Sequence, residues 1–183
     1  MNRLSRLLLP AALLAFISLP ALAASKAEID AEVKEALETL YKQSSAARDL
    51  GAKAAGILVF PKITKAGVGI GGEYGEGALL VGGKTSGYYS SAAGSIGFQL
   101  GVQQKSQAIM FMNQKELDKF LQQIHDGWKA GVDGSVALAT LGAGGQIDTE
   151  TSKKPIIGFI FSNKGLMYNL TFEGSKITKI DKN

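Results

Sequence analysis

The sequence predicts an α+β domain in which many short antiparallel strands form a strongly curved, barrel-like sheet covered by two main helices. Three observations lead there. Twelve of the 23 glycines fall between Gly67 and Gly101, interrupted by apolar and aromatic residues, and because each glycine costs backbone entropy on folding, such a run needs a geometric reason. From Gly56 onward, short β-branched or aromatic runs alternate with glycine and polar turn residues, as in an antiparallel meander. Two stretches with capping residues and an apolar stripe at helical spacing supply the covering helices.

Residues 1–23 have the features of an export leader. Arg3 and Arg6 make a basic start, Leu7 to Leu19 an apolar stretch too short to span a bilayer, and Ala21-Leu22-Ala23 a small-residue cleavage site. The expected mature chain, residues 24–183, is one domain by length. The two leader arginines carry half of the formal +4, so the mature charge is +2. That small excess argues against general nucleic-acid binding, which needs a concentrated basic face. With no cysteine, the chain has neither a disulfide nor a lipoprotein anchor.

The first helix is expected from about Lys26 to Arg48. Ser25-Lys-Ala-Glu28 is a capping box, and Ile29, Val33, Ala36, Leu37 and Leu40 form its apolar stripe. The polar face is acidic, unlike that of a membrane-surface helix, so this helix is expected to pack on its own domain. Ile57 to Phe60 is a short buried strand expected to end at Pro61. Strands follow over 67–73, 77–81, 87–91, 95–102 and 107–112. Asn113 caps a second helix, with Leu117, Phe120, Leu121 and Ile124 as its stripe, ending near His125. Strands are then expected over 135–141, 156–162, 166–172 and 176–180, with turns at Asn163-Lys164-Gly165 and Glu173-Gly174.

Candidate sites are few. Gly67, Gly69 and Gly72 satisfy the letter of G-x-G-x-x-G, but strand-like residues and more glycines follow where a nucleotide loop must open into a helix. His125 is the single histidine, no G-x-S-x-G elbow exists, and the acidic residues lack calcium-loop spacing, so no catalytic set, metal site or cofactor is expected. Trp128, the single tryptophan, fits either a core position or an interfacial anchor. Lys153, Lys154, Lys176 and Lys179 form small basic clusters that would draw a phosphorylated headgroup if they lie together.

Gly87-Tyr-Tyr-Ser90, Ser95-Ile-Gly-Phe-Gln-Leu-Gly101, Asp126-Gly-Trp-Lys-Ala-Gly-Val132 and the closing stretch from Lys164-Gly-Leu-Met to Gly174-Ser-Lys-Ile-Thr-Lys-Ile180 together resemble the SYLF domain family, in its bacterial exported branch. The resemblance covers nearly the whole mature chain. It implies a non-enzymatic lipid-binding domain, with eukaryotic relatives that bind phosphoinositides and act with actin at membranes. The expectation is therefore an exported, periplasmic or secreted protein that binds phospholipid at a membrane surface. The alternative is a structural or stress-related envelope protein that binds another protein through exposed strand edges.

Overall fold

A computed structural model describes residues 24–97, 103–140, 147–167 and 170–182. The leader expectation lies outside these residues, as does the end of the strand expected over 95–102. Helix α1 (Lys26–Gln43) starts as expected: Ser25 Oγ accepts the Glu28 amide at 3.3 Å, and the stripe from Ile29 to Leu40 is buried. The single helix reaching Arg48 is corrected. Ser44 turns extended (φ −146°), and its hydroxyl, 2 % exposed with its residue, accepts the Ala47 amide at 3.0 Å to open α2 (Ser45–Gly51). A serine offers a backbone-capping bond that competes with continuing the helix, and here that bond wins inside the core.

The separate short strands expected between Ile57 and Met112 are also corrected, because they merge into three long ones: β1 (Gly56–Val81), β2 (Lys84–Gly97) and β3 (Gln103–Phe111). Strand β1 pairs antiparallel with β3 over its first part, Gly56 to Lys65, and with β2 over its second, Gly69 to Val81. Pro61 does not end β1. The ladder shifts register between Phe60 and Ile63, so the proline sits in a bulge where it need not donate, and Ser106 Oγ donates to its carbonyl at 2.7 Å. Gly82 and Gly83, at φ +58° and +77°, close the β1–β2 hairpin directly between the paired Val81 and Lys84. Two consecutive positive φ values make a type I′ turn, which matches strand twist.

A straight 26-residue strand would be about 85 Å long, roughly twice the width of a domain this size. Glycine removes the conflict. A Cβ at Gly71, Gly75 or Gly77, alternate residues on one face, would overlap the backbone of Ala66, Lys62 or Val59. The second part of β1 therefore doubles back over the first, and only residues without side chains admit the approach. Glu73, the one charged residue in that alternation, meets Lys105 at 2.5 Å and Lys65 at 3.9 Å.

The remaining strands are β4 (Trp128–Lys129), β5 (Ala137–Leu138), β6 (Ile156–Ser162), β7 (Gly165–Leu166) and β8 (Lys176–Ile180). Pairing runs β4-β8-β2-β1-β3-β6-β5, with β7 on β6, and every ladder is antiparallel except β5–β6. Of the strands expected over 135–141 and 166–172, the described residues form two-residue ladders, while 141, 168 and 169 lie outside the described residues. A short helix that the sequence reading missed, α4 (Thr149–Ser152), opens where Asp148 accepts the Thr151 amide at 2.9 Å.

Two apolar clusters lie on opposite faces of the curved sheet. Ile57, Val59, Ala108, Met110, Ile157 and Phe159 face α1. The alternate residues Leu58, Phe60, Ile109, Phe111, Ile156 and Ile160 face α3 (Gln114–Gln123), which the Asn113 cap opens. This two-sided covering explains the unbroken burial of Ile156 to Phe161. Phe120 of α3 is central, with its ring centroid 4.9 Å from Phe111, 5.6 Å from Tyr89 and 5.7 Å from Trp128.

Candidate functional site

The helix α1 covers only part of its side of the sheet. Its N-terminal end reaches the β1–β2 hairpin, where Asp30 accepts from Thr85 Oγ1 at 2.8 Å and from the Tyr88 hydroxyl at 3.1 Å. Burial and this carboxylate hold the Tyr88 phenol above its ordinary pKa. Beyond Tyr88 the same face continues across β4, β8, β2 and β1, and among the described residues it is exposed at Lys129, Lys176, Ala92 and Tyr74.

Registers define that face. Lys129, Lys176, Ala92 and Tyr74 are successive cross-strand partners in one row, and Thr178, Ser90 and Glu76 form the neighbouring row. At the usual strand spacing the first row is about 14 Å long. Lys129, Lys176 and Ala92 are exposed, and Tyr74 is 52 % exposed, one of two large apolar side chains standing out among the described residues. On the far side of Tyr74 and Ala92, Gly72 and Gly94 are both exposed, and a Cβ at Gly94 would touch nothing. The opposite face carries Trp128, Ile177, Ser91 and Tyr89, all buried. Strand alternation thus sends Trp128 into the core and its neighbour Lys129 out.

Like charges directly opposite on paired strands repel, and Lys129 faces Lys176 in this way with no ion-pair partner for either among the described residues. The Lys176 stem lies over Gly127, whose φ of +84° and missing side chain make room for it. Asp133 accepts the backbone N–H of Lys129 at 2.6 Å. Glu76 is already satisfied: Lys182 Nζ lies 2.6 Å away, and the Tyr74 hydroxyl donates to it at 3.1 Å. Partial burial, then the Glu76 charge, raises the Tyr74 phenol above its ordinary range, so it stays a neutral donor. The face therefore presents small residues, one aromatic ring and a cation pair without counter-ions among the described residues.

The lysines named from sequence do not gather into one patch. Lys176 is on the open face, whereas Lys179, an odd number of residues along β8, belongs to the other face and is exposed at the strand's end. Lys153 closes α4 and pairs with exposed Glu150 at 3.3 Å; Lys154 is exposed just before β6, which stands four places from β8 in the pairing order. Trp128 is 1 % exposed, so the indole belongs to the core and offers nothing to an interface. His125 is exposed on the short 3₁₀ turn Ile124–Asp126. Lys129 and Tyr74 went unnamed in the sequence reading, although Lys129 directly follows a buried tryptophan, where alternation alone would turn it outward.

A family model described as Ysc84, Las17-binding protein actin regulator, matches residues 92–183, half of the chain. The match begins within β2 and includes β3 to β8, and hence both lysines of the row. No curated protein matches the chain.

Proposed function

From the membership of this chain in the Ysc84 (SYLF) family, we propose that it is an exported, non-catalytic binding protein that docks on anionic phospholipid through the open face of β4, β8, β2 and β1. The observation that carries the proposal is the unpaired Lys129–Lys176 couple beside Tyr74 on an uncovered, small-residue face. Phosphate groups relieve the repulsion between the two ammoniums, and a phenol ring is well placed at headgroup level. A surface free of bulky side chains also allows close approach to a flat partner. Export rests on the leader features of residues 1–23.

A protein partner is the second reading, because the matched family is described as Las17-binding. The strand-edge version of that reading has little support, since β4 and β5, at the ends of the pairing order, have two residues each. Co-sedimentation with vesicles decides between them. Binding to anionic vesicles that weakens as salt rises, with little binding to neutral phosphatidylcholine ones, is expected; equal absence of binding to both, across salt, overturns the lipid reading. Intact mass of the exported protein checks the leader: an N-terminus near Ala24 is expected, and retention of Met1 contradicts export by cleavage.

A further inference from the structure

On another side of the molecule, an open recess of about 550 Å³ lies beside α1. Its walls come from α1, the β1 bulge, the start of β3 and the β6–β7 turn. The volume falls within the range of small-ligand sites, roughly 300–1,000 Å³. Three tethers fix the walls: Gln43 Nε2 donates to the Ser162 carbonyl at 2.8 Å, Lys62 meets Glu32 at 3.0 Å, and Ser106 holds Pro61. Geometry held by such contacts is in place before a ligand arrives.

The charges lining the recess are separated by wall. Glu32 and Glu35 come from α1, whereas Lys62, Lys105 and Lys164 come from the strands and the turn. Internal pairs use up most of them: Glu32 with Lys62, and Lys105 with Glu73. One carboxylate and one ammonium remain without an ion-pair partner among the described residues, Glu35 on the helix wall and Lys164 on the turn wall. Both are exposed, and Ala36, Pro61 and Met167 give the recess its apolar lining.

We infer that this recess binds a small zwitterion, a primary ammonium joined by a short linker to a phosphate, with the ammonium on Glu35 and the phosphate on Lys164. A simple anion would meet Glu35 and a simple amine would meet Lys164, so each half-ligand faces one repulsive wall; only a molecule carrying both charges is complementary to both. Phosphoethanolamine has this chemistry, either as a phospholipid headgroup or as a soluble ester. The recess is separate from the Lys129–Lys176 face, and the inference rests on the lipid reading only if the source is a membrane.

Titration calorimetry with soluble glycerophosphoethanolamine tests it on the purified protein, with ethanolamine and inorganic phosphate as half-ligands. Saturable binding by the zwitterion, and weaker binding by either half, is expected. Glu35→Gln and Lys164→Gln change exposed residues, so the fold, checked by circular dichroism, is retained, while each loses about tenfold in affinity, as for one charge-assisted hydrogen bond. No binding of the zwitterion by folded wild-type protein, or unchanged affinity in both variants, overturns the inference. Repeating the comparison with phosphatidylethanolamine vesicles identifies the source. Loss of vesicle binding in these two variants assigns a lipid headgroup; soluble binding without vesicle binding assigns a free zwitterion. Because the soluble assay uses no membrane, its failure is distinguishable from failure of the docking face.

Discussion

Among the described glycines, Gly77 makes the tightest approach to other backbone. A side chain there has to enter the space of the Val59 carbonyl and the Phe60 Cα, and neither backbone group can move without disturbing the β1–β3 ladder. Gly77→Val is expected to destabilise the protein by about 3 kcal/mol or more, or to prevent folding, as overpacking against backbone does. Gly94→Ala, where an added methyl meets nothing, is expected to stay within about 0.5 kcal/mol of wild type. Urea denaturation of the two variants checks both, and equal stability would contradict the folded-over β1. At this scale the sequence was legible where one residue decides one bond: the Ser25 and Asn113 caps are found as expected. It was less legible where two residue roles share one composition. Trp128 suited a core position better than an interface by its place at a helix-to-strand junction, and its burial against Phe120 bears that out.

At the scale of elements, the β1–β2 hairpin depends on its two-glycine turn. Both residues hold positive φ, which costs a residue with a side chain roughly 1–2 kcal/mol each. Replacing Gly82-Gly83 by Ala-Ala is expected to lower stability by about 2–4 kcal/mol, and by Asn-Gly, the other type I′ pair, by far less; thermal melts of the two variants check the order. The turn was readable as glycine punctuation, yet strand length was not. Pro61 reads locally as a stop, and only the register shift to β3 shows how a long strand passes through it. Likewise Gly67 to Gly75 could be interruptions between strands or bare positions within one; the choice depends on how closely Gly71 and Gly75 approach the backbone of Ala66 and Lys62, earlier in the same strand. The α1–α2 break at Ser44 was missed because an apolar stripe continues through Ala47. A buried serine hydroxyl, rather than a lapse in hydrophobic period, ends the first helix.

The whole molecule turns one side of its sheet into two different surfaces. Where α1 lies on the strands the face becomes core, and where α1 ends the same face stays bare and displays Lys129, Lys176 and Tyr74. The fold class was legible because glycine density, strand period and caps agreed with one another. The docking face was legible only in part: Lys176 was named, but its partner Lys129 is 47 residues away, and no local pattern reports which strands become neighbours. Lys153 and Lys154 looked equivalent to Lys176 in sequence, and the pairing order separates them.

That separation makes the docking face directly testable. The measurement is binding to anionic vesicles at low salt by the double variant Lys129→Ala/Lys176→Ala, beside Lys153→Ala/Lys154→Ala and wild type. Each lysine at a membrane surface contributes about 1 kcal/mol. The first variant is therefore predicted to bind about 30-fold more weakly than wild type, and the second, with the same charge change elsewhere, to bind within about threefold of it. Equal weakening of the two variants would show that net charge alone drives association, and unchanged binding by Lys129→Ala/Lys176→Ala would contradict the docking face outright.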